Sequence, residues 1–560
     1  LKNKTSLGIQ KYISDNNWWK WGIASKRFKL SDFPRLHQLL YDRFNLDFNS
    51  INTETDEFNI VSTDENVPLI IGVFSAKLPR IKISADMETR LSRSVGKSYA
   101  DLLLVIEHIP VHLPDAVVFP GNHDEVIQIL NVCSEHDMLV VPFGGGSNVV
   151  GAFNRKDYNK PCVMLDMSLM KKMLNVDPVN HTALFEAGIS GPDIEYNLNK
   201  SGFTLGHFPQ SFEFSVLGGW IATHSAGQES SGYGRIEDMV IALKVATPRG
   251  TINTGGYEHD AEGVNLRHLF FGSEGMFGVI TEALMRIHRL PENKKWLVAL
   301  FPSFETGTEA VRKIVQKNIH PAVVRYSDEQ ETFFLQYISH KPFTFFSKIK
   351  SSFNDLLLRS KGIKRPSILL LRFDGEKEDI LVRSMIAVEI IRKHKGFLVG
   401  EKPGRKWERS RFDLPYLRDD LLENGILVDT METVLPWDKI NTFKHQLLAE
   451  LQKSAAFGYD KGILMSHLSH VYSSCCSIYF TVIAVRDTSN PLAQWQEIKK
   501  LVTDFIVRSG GAVSHHHSIG RMHQPWYVKK TDALTLEILG NIKKTCDPKS
   551  ILNPGKLYDE

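Results

Sequence analysis

The sequence predicts an α+β protein in which an α/β cofactor-binding half is followed by a second domain of antiparallel strands and covering helices. Three observations carry that reading. A strand, a helix, a second strand and a triple-glycine loop follow one another between residues 116 and 148. Short β-like runs separated by turn residues dominate 160–290, and beyond 290 longer apolar strands alternate with helical stretches.

Residues 1–85 mix polar and aromatic side chains, with Trp18, Trp19 and Trp21 close together and no catalytic motif. They are expected to form a helical N-terminal appendage packed on the main body. The cofactor domain is expected over 86–290. Ala116-Val117-Val118-Phe119-Pro120 reads as a short strand ending in proline, and 122–136 has helical spacing with Asp124 and Glu125 in its first turn, where they complement the helix dipole. The strand 139–142 then runs straight into the glycines, the order a dinucleotide site needs. Further strands are expected at 163–166, 182–186, 239–246 and 277–287. A substrate or cap domain is expected over 291–510, with strands at 296–301, 322–326, 367–373 and 478–485 and helices at 306–317, 378–394 and 437–453. The last segment, 511–560, is expected to return to the cofactor edge.

A chain of 560 residues, 42% apolar and 23% charged, is ordinary for a globular protein of two to four domains. A net charge of +3 from 67 basic and 64 acidic side chains gives no whole-molecule attraction to nucleic acid, so no nucleic-acid partner is expected and any anion site must be local. The cysteines Cys133, Cys162, Cys475, Cys476 and Cys546 are odd in number and show no C-x-x-C spacing. That argues against a disulfide framework or a zinc ribbon, and for a reducing or redox-neutral compartment. No apolar run approaches the roughly 18 to 20 residues of a spanning helix, so a soluble protein is expected. No secretory h-region stands at the start, and the ending Leu557-Tyr558-Asp559-Glu560 is not a Ser-Lys-Leu type signal.

In Pro142-Phe143-Gly144-Gly145-Gly146-Ser147-Asn148 the glycines leave backbone without Cβ obstruction, so N–H groups can converge on an anion while the hydroxyl and amide add donors. An isolated triple glycine is more often a plain surface turn. Here it follows an apolar strand directly, and two more Gly-rich segments lie downstream. It is neither a Rossmann fingerprint nor a P-loop, because no G-x-G-x-x-G opens a helix and no Gly-Lys-Ser/Thr ending follows. The second segment runs from Gly206-His207-Phe208-Pro209-Gln210 to His224-Ser225-Ala226-Gly227, and the third is Gly272-Ser273-Glu274-Gly275-Met276-Phe277-Gly278-Val279-Ile280-Thr281.

In this order and spacing the three segments resemble the FAD domain of the vanillyl-alcohol-oxidase family, which implies two α/β subdomains that hold FAD; some relatives bind it covalently through a His or Cys, but no such residue is assigned in this sequence, so noncovalent FAD is expected. The resemblance implies that Pro142, Phe143, Gly144, Gly145, Gly146, Ser147 and Asn148 hold the diphosphate. It puts Gln210, Ser211, Phe212, Glu213, Phe214, Ser215 and Val216, with Thr223, His224, Ser225 and Ala226, along the isoalloxazine and ribityl chain. Glu274, Gly275, Met276, Phe277, Gly278, Val279 and Ile280 fall near the adenine side.

Four further features bear on chemistry. Ser514-His515-His516-His517-Ser518-Ile519-Gly520-Arg521 brings near-neutral proton-transfer groups together, although an internal triple histidine is more often a solvated loop. On a strand, His515 and His517 could converge while His516 points away. His467 and His470, in Ser466-His467-Leu468-Ser469-His470, read as structural because no further ligands of suitable spacing stand beside them, and no metal is expected. Tyr479 lies in an apolar strand, where a buried phenol usually packs and hydrogen-bonds. As a base it would need its reference pKa of about 10 lowered by nearby positive charge or donors, which a histidine cluster could supply. Arg418 has a fork suited to phosphate or carboxylate, although an arginine beside two aspartates, here Asp419 and Asp420, is more often a surface ion pair. Arg325, within a strand-like run, must find a partner if buried.

Added to the flavin segments, these features resemble the alkyl-dihydroxyacetonephosphate synthases over about residues 110–560. The resemblance implies a catalytic Tyr479, a phosphate-binding Arg418 and an activity-requiring triplet His515, His516 and His517. Arg325 and His207 match positions important for flavin or active-site integrity. It further implies exchange of the acyl chain of acyl-dihydroxyacetonephosphate for a long-chain fatty alcohol through a substrate adduct at flavin N5, without net redox. A homodimer, peripheral contact with membranes and a peroxisomal location follow from the same resemblance. The sequence departs from that pattern at Ser518 and Ile519, where the family has Gly-Val, and Asn553-Pro554-Gly555-Lys556 is typical of the wider FAD-oxidase group. Two other readings stand beside it. A flavin-dependent 2-hydroxy-acid dehydrogenase would use a His-Gly-x-Gly element at His517-Ser518-Ile519-Gly520, but the acidic residue usual before that histidine is here His516. A catalytically silent FAD-binding protein would have no need of Tyr479, Arg418 and the triplet.

Overall fold

The computed structural model describes residues 18–46, 60–61, 64–153, 160–338 and 363–558. Its first sheet contains β1 (Lys82–Ser84), β2 (Ala116–Phe119), β3 (Leu139–Phe143) and β4 (Cys162–Asp166) in the order β1-β2-β4-β3. β2, β4 and β3 are parallel and β1 is an antiparallel edge, so this sheet takes up residues upstream of 86. The parallel strands read as continuous apolar runs because both faces are covered. The helix His123–Glu135 makes the crossover from β2 to β3 and buries Val126, Ile129, Leu130 and Cys133. Asn122 caps it, its side chain accepting from the Glu125 N–H at 3.0 Å.

The second sheet holds β5 (Met173–Asp177), β6 (Thr182–Glu186), β7 (Val240–Thr247), β8 (Gly250–Asn253) and β9 (Val279–Arg286), ordered β8-β7-β9-β6-β5 and antiparallel throughout. Phe185, Leu198, Trp220, Phe270 and Met285 are among the residues of its core.

The third sheet has seven antiparallel strands. These are β10 (Asn293–Phe301), β11 (Val323–Ser327), β12 (Ser367–Gly375), β13 (Phe397–Leu398), β14 (Ile426–Pro436), β15 (Ile463–Val471) and β16 (Cys475–Val485), in the order β13-β10-β12-β11-β15-β16-β14. Two of its central and edge strands, β14 and β15, carry Asp429, Glu432, His467 and His470 and lack the apolar continuity that marks β12 in the sequence. They are strands all the same, because the period of two sends alternate residues to opposite faces. Leu427, Leu464, Val482 and Ala484 join the core under the helices, which include Ile440–Leu451 and Pro491–Arg508. Val428, Ile463, Met465 and Ile483 join a separate cluster on the other face.

That other face is where the N-terminal segment lands. Leu30, Phe33, Leu36, Leu40 and Phe44, three of them on the helix Pro34–Phe44, pack against Leu417 and Leu421 of the helix Leu414–Glu423 and against Phe334. The backbone N–H groups of Trp21 and Leu30 donate to Asp419 and Asp420, each at 2.6 Å. Among the described residues, no helix is long and apolar enough to cross a membrane.

Candidate active site

A cavity of about 390 Å³ runs between the glycine loop and the exposed face of the third sheet. Its floor follows from strand alternation: Val428 and Thr430 on β14, Met465, His467 and Ser469 on β15, and Tyr479, Thr481 and Ile483 on β16 all point into it. In register, Tyr479 stands directly between Glu432 of β14 and His467 of β15. The His467 ring stacks on Tyr479 with centroids 4.8 Å apart.

At the other end, residues 142–148 all line the cavity. Gly145 is needed because a Cβ there would overlap the carbonyl oxygen of Phe214, and Gly146 takes a φ of +64° that disfavours side chains. The Asn148 Oδ1 accepts from the N–H groups of Val150 and Ala152 at 2.9 and 3.0 Å and so curls its own loop. Gln210, Ser211, Ser215, Val216, Thr223, Ser225 and Ala226 line the same space, as do Glu274, Gly275, Gly278, Val279 and Ile280. Two buried acceptors on its wall, Glu274 Oε2 and Asn553 Oδ1, have no hydrogen-bond partner among the described residues. Buried polar atoms are rarely left so, and a ligand with N–H or O–H donors would satisfy them, so this cradle fits a dinucleotide.

Several residues predicted beside the cofactor support the wall from behind. His207 is buried, bonded through Nε2 to Ser225 Oγ at 2.8 Å and set against Trp220. Phe212 stacks on Phe412, Glu213 accepts from the Tyr416 hydroxyl at 2.8 Å, and Phe214 meets Trp21 edge-on. His224 pairs with Glu237 at 3.1 Å, while Met276 and Phe277 are core residues. C-terminal residues bond to this edge: the Asn553 N–H donates to the Val140 carbonyl, and Ser518, Ile519 and Gly520 all donate to Glu274 Oε1.

The histidine triplet is not on a strand, and its geometry corrects the expected alternation. Residues 514–518 form a bend wrapped round the buried carboxylate of Glu432, which accepts from the backbone N–H of His515, His516 and His517 at 2.6, 3.1 and 3.1 Å and from Ser514 Oγ at 2.8 Å. His516 and His517 line the cavity, with rings 6.0 and 5.6 Å from Tyr479. His515 turns away to Tyr472, whose hydroxyl lies 2.8 Å from its Nε2. Glu432, which no sequence motif singles out as functional, is thus the post on which the triplet is mounted.

Burial dominates the electrostatics. It pushes His515, His516 and His517 below the ordinary imidazole range, His517 to about 3, so all three are neutral. Burial also pushes the Tyr479 phenol up to about 12, against the pull of a hydrogen bond with Thr430. The positive charge expected from the histidines is therefore not there, and Tyr479 is held as a protonated phenol flanked by neutral imidazoles.

Arg325 finds the partner its strand position demands. Its guanidinium donates to Glu331 at 2.8 Å and lies 3.2 Å from both ring nitrogens of His467. Arg418 also lines the cavity, paired with Asp419 at 3.1 Å, donating to the Lys97 carbonyl at 2.8 Å and lying over the Trp21 ring. Sequence reasoning missed the apolar end of the cavity, formed by Phe334, Leu335, Ile338, Leu417 and Leu421. Those residues look like ordinary helix faces until the sheet is assembled.

Comparison with known proteins gives this geometry its class. The model of the FAD binding domain matches residues 114–256, and that of the FAD linked oxidases, C-terminal domain, matches 290–557. The chain is an FAD-binding flavoprotein of the FAD-linked oxidase class. It is 37% identical over 494 residues to an alkyldihydroxyacetonephosphate synthase of Trypanosoma brucei brucei, covering 86% of this chain and 79% of that one. With the synthase of Dictyostelium discoideum the identity is 34% over 481 residues, 85% and 78% of the two chains. A solved structure of an alkyldihydroxyacetonephosphate synthase superposes with a TM-score of 0.76 at 29% identity, covering 94% of this chain and 93% of the other. The chain belongs to the alkyldihydroxyacetonephosphate synthase family.

Proposed function

We propose that this FAD enzyme exchanges the acyl chain of 1-acyl-dihydroxyacetonephosphate for a long-chain fatty alcohol, giving the 1-alkyl product and a fatty acid in ether-lipid synthesis. The observation that supports it best is the make-up of one cavity, which joins a dinucleotide cradle, a Tyr-His-His cluster, Arg418 and an apolar wall suited to a long chain. Bound FAD, cradled by 142–148 with the 210–226 and 274–280 segments, supplies an electron-accepting ring beside the substrate.

The remaining work falls to this chain's own residues. Arg418 binds the phosphate with its fork, at the expense of its contact with Asp419. Tyr479 takes the C1 proton, which the neighbouring ketone acidifies, as its own phenolic proton passes to His516, whose ring faces it. Arg325, fixed by Glu331, positions His467 against Tyr479. Phe334, Leu335, Ile338, Leu417 and Leu421 hold the chain and keep water from competing with the alcohol. Homodimer formation, docking on a lipid surface and a peroxisomal location belong to the same reading and rest on the family resemblance.

Anaerobic incubation of the FAD-loaded protein with acyl-dihydroxyacetonephosphate and a labelled fatty alcohol tests it. Equal release of fatty acid and labelled ether product, without an electron acceptor, is expected. No ether product, together with loss of flavin absorbance on adding D-lactate, would establish a hydroxy-acid dehydrogenase instead. The variant His516→Ala should keep its FAD and lose turnover by about 100-fold or more.

A further inference from the structure

We propose that His470, His515 and His516 form a binding site for a divalent transition-metal ion of the zinc class. One ring nitrogen from each lies within 4.8 Å of the other two, and His470 and His515 are buried. The cluster is assembled from β15 and the bend at 514–518, so spacing in the sequence gives no hint of it.

The outer contacts suit metal ligation. Metal-bound imidazoles almost always engage their second nitrogen with a fixed polar group, which sets the ring orientation. His470 Nδ1 is 2.9 Å from Ser230 Oγ, leaving Nε2 available, and His515 Nε2 is 2.8 Å from the Tyr472 hydroxyl, leaving Nδ1. His515 Nδ1 and His516 Nδ1 stand 2.9 Å apart, sharing one proton between them. An ion takes that proton's place when His516 shifts its N–H to Nε2, so no proton is gained or lost. Zinc–nitrogen bonds of about 2.0 Å at tetrahedral angles need nitrogens roughly 3.3 Å apart, so the widest pair must close by a rotation of one ring.

The surrounding charge is balanced. Arg235, which donates to the His515 carbonyl, opposes a cation, but it is paired with Glu237 at 3.1 Å. The Glu432 carboxylate lies 3.9 Å from His516 Nδ1 and favours one. His470 and His516 face the main cavity, so an ion there keeps an open position for water or a substrate oxygen. Such an ion withdraws His516 from proton transfer, so zinc inhibits the enzyme; this consequence rests on the role proposed for His516 above.

The test is titration of the FAD-loaded protein with Co²⁺, then Zn²⁺. Stoichiometric Co²⁺ should produce the visible ligand-field bands of a four-coordinate site, Zn²⁺ should displace it, and turnover should fall in step with occupancy. His470→Asn should weaken zinc binding by about 100-fold or more and relieve the inhibition, with FAD content and basal turnover kept. No bands, or equal binding in the variant, overturns the site. If the variant folds poorly, X-ray absorption at the zinc edge of the wild-type protein decides between a shell of three imidazole nitrogens, as proposed, and an oxygen-only shell, which overturns it. Binding abolished by His470→Asn but without effect on turnover would uphold the site and remove His516 from the proposed mechanism.

Discussion

Gly145 sits where the chain of the second flavin segment crosses the first, and any Cβ would run into the Phe214 carbonyl. Gly145→Ala should therefore push the two segments apart, costing about 1 to 3 kcal/mol as overpacking does and releasing most of the FAD. Flavin content after gel filtration, with circular dichroism to show that the fold survives, checks this. Glu331 supplies a pH-dependent counterpart. Burial alone would raise its carboxyl, but His467 and Arg325 outweigh that and hold it at about 2, below the ordinary 4.5. A depressed carboxyl stabilises the fold fully above pH about 4.5 and ceases to do so as pH falls towards 2. The melting temperatures of wild type and Glu331→Gln should thus differ most above that window and converge through it. At this scale the glycine loop was readable from sequence, since only small residues fit a backbone crossing of that kind. The protonation state of Tyr479 was not, because it depends on burial between β14, β15 and the bend at 514–518, which meet only in the fold.

Strand β14 does two jobs along its length: Val428 and Thr430 floor the cavity, and Glu432 carries the histidine bend. Glu432→Ala would leave three backbone N–H groups without their acceptor, and should lower stability by about 3 to 5 kcal/mol and abolish turnover while FAD stays bound. Denaturant unfolding followed by flavin fluorescence and far-UV signal measures both; unchanged stability would mean that the bend holds itself. The strands and helices that sequence patterning located, among them β3, β6, β12 and the helix Lys377–Lys393, are those whose burial is uniform or cleanly one-sided. β15 escaped because its cavity face is polar by function, which breaks the apolar pattern a buried strand ordinarily shows. The histidine triplet was noticed but misplaced, as a bend around an acceptor has no periodicity to read.

Across the molecule, the cofactor half and the third sheet are joined by a buried knot of charge. Arg372 on β12 donates to Glu229 at 2.6 and 3.0 Å, to Asp374 at 2.7 Å and to Glu408 at 2.9 Å, while Arg411 donates to Glu229 at 2.5 Å. Arg372→Met would leave the buried Asp374 carboxylate without its guanidinium and Glu229 with Arg411 alone, and should destabilise the protein by about 3 to 5 kcal/mol, read by urea unfolding. It should also let the two halves unfold separately, and a single cooperative transition in the variant would count against that. The α/β cofactor-binding half and the antiparallel sheet with its covering helices were legible in the chain. The knot was not, since Glu229, Arg372 and Arg411 are unremarkable ions until the halves meet. Prising the halves apart would strand a guanidinium and its carboxylates, which resists gaping of the cleft at that seam. A lipid tail must then enter and leave by reptation along the apolar wall, and its exchange should slow with each added methylene.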